Sequence, residues 1–260
     1  KKVKIFSKPK MKGSFIAFSP DGLFIANVSP DYSRNGSYEV VNIWNIDTGE
    51  KVYASAISKA RQVIFSPYGE KILIVGDSYA QLRHIKNDKL LRSYKFDKMI
   101  KTVAVNSQWN AFAVSFITNE IVINSLEKKS ILHTLKLNAS ALDVKYSPDD
   151  SLILSVNQSP SSVSIFSAIT GELLSEINHP IRINTASFNP EGNEIILGLK
   201  NGGLIYRPIE LGNIVNRAIK TLPSNRTCLS PMEREKYHLP KLTPKQWRER
   251  RCAQYIKNNK

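Results

Sequence analysis

Histidine is the side chain best suited to proton transfer and metal ligation near neutral pH, and this chain of 260 residues has four. They are scattered along the sequence, at His84, His133, His179 and His238. His84 falls on a predicted strand, where we expect it to pack or to lie at a rim, and His133 and His179 fall at positions predicted to be exposed. This spacing favours structural or solvent-facing roles over a metal site or a general base.

The two cysteines and an adjacent pair of carboxylates give no stronger indication of catalysis. Cys228 and Cys252 have no metal-ligand spacing, and two thiols do not make a disulfide framework, so a reducing, cytoplasmic location is expected. Asp149 and Asp150 lie in a predicted turn, where aspartate is favoured for backbone reasons. Phosphate-binding loops and the signatures of serine hydrolases, zinc proteases and haem proteins do not occur. We therefore predict a protein that is not an enzyme and has no catalytic residues, metal or cofactor.

The elements that would position any functional side chain repeat five times. In each copy an apolar strand ends in an aromatic or small apolar residue, then a short polar turn leads to a second apolar strand. The aligned strand ends are Phe18, Phe65, Val105, Tyr146 and Phe188, with spacings of 47, 40, 41 and 42 residues. Self-similarity at this interval is the sequence signature of propeller blades.

Each repeat continues with two more predicted strands. The third strand alternates apolar and polar residues and is predicted at 40–46, 80–85, 120–126, 162–168 and 203–209. Polar turns then lead to a fourth strand, for example at 51–54 and 173–177. This alternation is typical of half-buried antiparallel strands. We predict an all-β fold, a β-propeller of about five four-stranded blades, over residues 1–210.

The repeats resemble those of a degenerate WD-repeat protein and are also similar to bacterial YVTN-type propellers. The resemblance rests on the Ser-Pro-Asp-Gly turn at 19–22 and on third-strand aromatics followed by a polar residue, as in Trp44-Asn45 and Phe166-Ser167. No repeat contains Trp-Asp, and His84 and Asn124 replace the aromatic in two repeats. The hydrogen-bonded tetrad of the family cannot form here, so strand pairing and apolar packing must make the blades rigid.

The fifth repeat supplies only three predicted strands, and an unpaired outer strand leaves backbone donors and acceptors open. One interpretation is that residues 1–6 form the missing outer strand of the last blade. The other is that the chain belongs to a larger propeller, as the C-terminal part of a bacterial-type multidomain protein, and that residues 1–6 complete an upstream blade. The sequence leaves both interpretations open.

Residues 211–260 are predicted to form a basic helical tail that packs on the propeller. Two segments, 230–233 and 243–246, each place a hydroxyl at the N-cap, proline at the first helical position and Glu or Gln at the third. They predict helices at about 231–237 and 244–257. The longer helix gathers apolar side chains toward one side and turns basic side chains away.

The formal net charge of +15 is concentrated at the two ends. Residues 14–210 hold 19 basic and 19 acidic residues, residues 1–13 hold six lysines, and residues 211–260 hold twelve basic and three acidic residues. If residues 1–6 close the last blade, the ends form one basic patch at the closure seam, made of Lys1, Lys2, Lys4, Lys245, Arg248, Arg250 and Arg251. Such a patch attracts acidic protein surfaces, nucleic acid or anionic lipid, whereas the simpler interpretation is that these charges only keep the protein soluble.

The WD-repeat resemblance implies that each innermost strand begins on the face used most for partner binding. The residues four before the aligned strand ends are Ser14, Arg61, Lys101, Leu142 and Asn184. Arg61 and Lys101 are cations in adjacent repeats, and arginine is enriched at binding hot spots. We predict that the partner-binding residues on this face are Arg61, Lys101 and Asn184.

Three functions are compatible with these features. The favoured hypothesis is a non-catalytic scaffold or sensor module that binds a protein or peptide, because the sequence builds a surface and no reaction site. The alternative is a propeller that binds RNA or another polyanion, with Trp247 and Tyr255 available for stacking on bases. The third is a propeller enzyme whose active site carries no recognisable sequence motif. No run of eighteen apolar residues occurs, so no membrane span is predicted.

Overall fold

The computed structural model describes residues 15–31 and 38–209. In these two ranges the secondary-structure elements are β-strands, with no α-helix among them. The strands form five separate antiparallel sheets, of which the first four have four strands and the fifth has three in this described part. Within each sheet the strands pair in chain order, so each sheet is a meander. The predicted all-β class and the fivefold repetition of small sheets are confirmed.

The strands follow the predicted repeats closely. Sheet 1 contains β1 (Phe15–Phe18), β2 (Phe24–Asp31), β3 (Tyr38–Asn45) and β4 (Lys51–Ser58). Sheet 2 contains β5 (Ala60–Phe65), β6 (Lys71–Gly76), β7 (Tyr79–His84) and β8 (Leu90–Lys95). Sheet 3 contains β9 (Ile100–Val105), β10 (Ala111–Phe116), β11 (Glu120–Ser125) and β12 (Ile131–Lys136). Sheet 4 contains β13 (Ala141–Tyr146), β14 (Leu152–Asn157), β15 (Ser162–Ser167) and β16 (Leu173–Asn178). Sheet 5 contains β17 (Ile183–Phe188), β18 (Glu194–Leu199) and β19 (Leu204–Pro208).

The turn between the first and second strands has the same hydrogen bonds in all five sheets. In sheet 1 the Ser19 N–H donates to the Phe24 carbonyl at 2.9 Å, and the Phe24 N–H donates back to Ser19 Oγ at 2.8 Å. A serine or asparagine makes both bonds in the other sheets, at Ser66, Asn106, Ser147 and Asn189. The side-chain oxygen thus closes the turn locally, which explains why this residue type follows every first strand.

The described residues divide into two compact units, with the boundary in the sequence between Lys145 and Tyr146. In the first unit, sheet 2 is covered on both faces. Ile72 and Ile74 of β6 belong to a buried cluster with sheet 1, whereas Leu73 and Val75 belong to a second cluster with sheet 3. Successive strand residues point to opposite faces, so a strand between two sheets must be apolar at every position. The unbroken apolar run in β6 meets that requirement.

The fourth strand of sheet 1 is also tied to sheet 2 by polar contacts. Asp88, in the turn between β7 and β8, accepts hydrogen bonds from Tyr53 Oη at 2.6 Å, Ser55 Oγ at 3.0 Å and Arg83 Nη1 at 2.7 Å. Burial raises the pKa of Asp88, but these three hydrogen bonds and the Arg83 charge outweigh it and hold the pKa below its ordinary value. The carboxylate is therefore the form that the fold stabilises.

The contact between sheets 2 and 3 repeats this arrangement with backbone acceptors. Tyr94 on β8 donates from Oη to the Ser125 carbonyl at 2.8 Å, and Arg92 donates from Nε to the Leu126 carbonyl at 2.8 Å. Both carbonyls lie where β11 ends and its turn begins. In each case the outer strand of one sheet is fastened to the turn region of the next.

In the second unit, sheet 5 packs on sheet 4 through β17, which contacts β14 and β15. Sheet 4 contains a buried polar network centred on Asn157. Its Nδ2 donates to Ser162 Oγ at 3.0 Å and to Ser164 Oγ at 2.8 Å, and its Oδ1 accepts from Ser155 Oγ at 2.7 Å. All four side chains are buried, so these mutual bonds satisfy polar groups that water does not reach.

Several sequence predictions lie outside the described residues. They are the closing strand at residues 1–6, the tail helices near 231–237 and 244–257, and the packing of residues 211–260 on the propeller. The fifth sheet has the three strands expected of it, and within the described ranges no fourth strand pairs with β19. These parts of the domain assignment stay predictions.

The hairpin between β6 and β7 depends on the absence of a side chain at one position. A Cβ placed on Gly76 would lie 2.2 Å from Tyr79 Cε1, far inside van der Waals contact. The Tyr79 ring is held there because its Oη donates to the Ser58 carbonyl at 2.6 Å. A methyl group at position 76 therefore meets an aromatic ring that is fixed at both ends.

We predict that Gly76→Ala lowers the free energy of unfolding by about 1–3 kcal/mol, because overpacking forces the ring out of place. Urea denaturation measures this loss. The same change in a Tyr79→Ala background should cost less than half as much, since the ring is gone. Equal costs in both backgrounds would show that the ring is not the cause.

We also predict that Asp88→Asn destabilises the protein at neutral pH and much less in acid. A carboxylate with a lowered folded-state pKa stabilises the fold above its unfolded-state pKa, and this contribution is lost as the pH falls through the folded-state pKa. Because the Asp88 side chain is 40% exposed, solvent screening limits the loss at pH 7 to about 1 kcal/mol. Unfolding of wild type, Asp88→Asn and the exposed control Asp97→Asn, measured from about pH 7 to about pH 3, tests this. A difference between wild type and Asp88→Asn that does not change with pH would contradict it.

Candidate partner-binding site

The first strands of sheets 2, 3 and 5 each contain a β-bulge at their second residue. In β5 the register shifts between Ala60 and Gln62, which leaves Arg61 as the extra residue. The same shift makes Lys101 the extra residue of β9 and Asn184 the extra residue of β17. Bulges turn a side chain away from the regular sheet direction and often stand next to functional sites. The three residues selected from the sequence thus occupy one distinctive backbone position.

Arg61 and Lys101 line the same pocket in the first unit. The pocket has a volume of about 150 Å³ and lies where β1, β5 and β9 come close together. Its remaining lining residues are apolar or uncharged: Phe15, Gln62, Val75, Gly76, Ile100, Thr102 and Val103. Among the residues that the structure describes, two cations and no acidic residue line this small concavity.

Arg61 bridges sheets 2 and 3 and is only weakly neutralised. Its Nη1 donates to the Ile100 carbonyl at 3.2 Å and lies 3.6 Å from Asp77 Oδ1, with 52% of the side chain exposed. The distance to Asp77 is longer than the 2.7 Å between Arg83 and Asp88. Charge-assisted N–H···O bonds are ordinarily about 2.7–2.9 Å long, so Asp77 is a loose counter-ion.

Lys101 reaches the connection between sheets 3 and 4. Its Nζ donates a hydrogen bond to Ser140 Oγ at 2.9 Å. This hydrogen bond helps to orient the ammonium group. The side chain is partly buried, so its stem is fixed while its charge contributes to the field at the pocket.

Asn184 lies in the second unit, exposed, at the equivalent position of its own sheet. The residues assigned to the basic patch all fall outside the described ranges: Lys1, Lys2, Lys4, Lys245, Arg248, Arg250 and Arg251. Their role and that of Asn184 stay predictions.

Sequence reasoning missed the residues that hold the two cations in place. Asp77, Ser140 and the backbone carbonyl of Ile100 fix Arg61 or Lys101, yet none carries a motif. They lie in or beside the connections between neighbouring strands or sheets, where only the folded chain brings them near. Among the described residues, no group of three or more His, Cys, Asp or Glu side chains is arranged to hold a metal ion.

The remaining candidates from the sequence have local roles. Asp149 accepts hydrogen bonds from Ser147 and Ser151 and so belongs to the turn between β13 and β14. His84 and His179 each accept a hydrogen bond through Nδ1 from a backbone N–H two residues further along the chain. These contacts are those of turn and loop residues.

No family model matches the chain, and no curated protein matches it in sequence. Among the residues that the structure describes, no helix is long and apolar enough to cross a bilayer. The WD-repeat resemblance therefore stands on the repeats themselves.

We predict that Arg61→Gln and Lys101→Gln each lower the free energy of unfolding by less than about 1 kcal/mol. Arg61 makes a loose, exposed ion pair, and Lys101 donates a hydrogen bond to a neutral hydroxyl. Contacts of these two kinds contribute little to stability. Thermal and urea unfolding of both variants check this. A loss above about 2 kcal/mol for either one would mean that the cation is kept for folding instead of binding.

Proposed function

We propose that the five sheets are blades of a WD-repeat-type β-propeller and that the protein is a non-catalytic module that binds a protein or peptide partner. The proposal is supported by meanders with identical first turns in all five sheets and by the packing of neighbouring sheets within each unit. The turns and strand ends of the sheets would supply the side chains that contact a partner.

The observation that carries this proposal is the pocket lined by Arg61 and Lys101. Pockets for small-molecule ligands usually measure about 300–1,000 Å³. A volume of about 150 Å³ is too small for most such ligands but suits one side chain of a larger partner. A cationic rim over apolar walls is typical of an anchoring point in a protein interface, where arginine is enriched.

Charge reversal tests the proposal. We expect Arg61→Glu and Lys101→Glu to lose a partner that wild type captures from a cell extract, because each reversal replaces attraction at the pocket by repulsion. Lys95→Glu and Lys136→Glu are matched controls, since they lie on β8 and β12, at the opposite edges of the same two sheets, and should retain the partner. Equal capture by all four variants would reject this pocket as the binding site.

A second candidate function, polyanion binding, is favoured by the basic ends of the chain. Six lysines in residues 1–13 and the excess of nine positive charges in residues 211–260 would contact phosphates. In that case nucleic acid would copurify, nuclease treatment would remove it, and affinity would fall steeply with salt. Capture that survives nuclease and depends on Arg61 would instead support the protein-binding function.

A further inference from the structure

We propose that the pocket between β5 and β9 recognises an acidic side chain, Asp or Glu, with an apolar residue beside it on the same partner. This inference rests on the proposed function and specifies its chemistry. It follows from three properties of the pocket: the charge of its rim, the donor geometry of Arg61 and the apolar character of its walls.

The described residues that line the pocket include two cations, Arg61 and Lys101, and no acidic residue. Asp77 lies 3.6 Å from Arg61 but does not line the pocket. A partner carboxylate would therefore meet two cationic groups here, whereas a neutral side chain would gain no such attraction.

The guanidinium of Arg61 has donors left for such a carboxylate. Both of its contacts among the described residues are made by Nη1, to the Ile100 carbonyl and, loosely, to Asp77. A guanidinium has five N–H donors in a planar fork that matches a carboxylate in two parallel hydrogen bonds. A partner carboxylate at normal hydrogen-bond distance would therefore interact more strongly than Asp77 does at 3.6 Å. Lys101 adds attraction as a point charge, without the same demand on geometry.

The walls explain why an apolar residue should accompany the acid. Phe15, Val75, Ile100 and Val103 are apolar residues of the lining and would contact methylene groups of a partner. Apolar walls also keep water away and strengthen the attraction between charges across the interface. A phosphate of RNA would also meet the cations, but the hydroxyl-bearing ribose next to it would pack less well on these apolar residues than an aliphatic side chain would. The pocket therefore fits a peptide better than a nucleic acid backbone.

The experiment is a selection of random peptides displayed on phage by the immobilised full chain, in parallel with Arg61→Gln and the control Lys95→Gln. We expect wild type and the control to select peptides with a fixed Asp or Glu next to an apolar residue, and Arg61→Gln to lose that preference. Fluorescence anisotropy then compares the best peptide with its Glu→Gln or Asp→Asn form. The amide peptide should bind at least about tenfold more weakly to wild type, because one charge pair across the interface is lost.

The pairing with Arg61 is tested by a double-mutant cycle. In Arg61→Gln the amide and acidic peptides should differ by less than about threefold, and Arg61→Lys, which keeps the charge but not the fork, should give an intermediate difference. The same cycle with Lys101→Gln measures how much Lys101 contributes to the preference for the acidic peptide. An equal preference for the acid in wild type and Arg61→Gln would overturn the proposal.

The failures of the two proposals are distinguishable. If wild type selects peptides without an acidic residue, the carboxylate inference is wrong and the peptide-binding function stands. If wild type selects no peptide, both are overturned. A labelled single-stranded RNA oligonucleotide that binds wild type in that case, and binds Arg61→Gln less well, would assign the pocket to phosphate recognition instead.

Discussion

Neighbouring sheets of each unit bury apolar side chains against one another, and the rest of the structure depends on this packing. In the first unit, sheet 2 is packed on both sides: Ile72 and Ile74 are buried with sheet 1, and Leu73 is buried with sheet 3. A fully buried aliphatic side chain stabilises the fold by roughly 1.5–3 kcal/mol, more than a typical surface ion pair. Packing between sheets, together with polar links such as that from Tyr53 to Asp88, therefore holds these sheets together.

The candidate site is a product of the same packing. Arg61 and Lys101 are forty residues apart in sequence and lie on different sheets, yet they line one pocket because sheets 2 and 3 are packed together. The hydrogen bond from Arg61 to the Ile100 carbonyl crosses that contact. The β-bulges at Arg61 and Lys101 turn their side chains away from the regular sheet direction. The packing of sheets 2 and 3 brings the two side chains to the same pocket. Chemistry at this point is thus determined by the fold and not by a contiguous motif.

The sequence predicted the parts of the fold that depend on local chemistry. The apolar alternation located the strands, and the polar residue after each first strand is the one that closes its turn, as Ser19 and Asn106 do. It did not predict that a residue as large as Trp109 stands at positive φ in a turn position that glycine occupies in sheets 1, 2 and 5. That conformation costs energy for a side chain with a Cβ, so only the surrounding sheet imposes it.

Other features could not be predicted because they arise from pairs of residues. At the end of β6, only glycine fits at position 76 because the Tyr79 ring lies against it. In sheet 5 the large residue comes first in the chain: Leu199 ends β18 and lies against Gly203. Neither residue of a pair is informative alone. The bulges at Arg61 and Lys101 also carry no residue-type signal, since the registry of the second strand decides where the extra residue falls. The position of the two cations was therefore predicted through the family resemblance, whereas the pocket and its supporting residues required the structure.

Hydrogen–deuterium exchange, with and without a bound partner or selected peptide, tests the central claim most directly: that binding occurs where the first strands of sheets 2 and 3 begin. The account predicts that binding slows exchange at residues 60–62 and 100–103 and leaves the outer strands β8 and β12 unchanged. Protection confined to the outer strands, or exchange at residues 60–62 and 100–103 that binding does not alter, would contradict it.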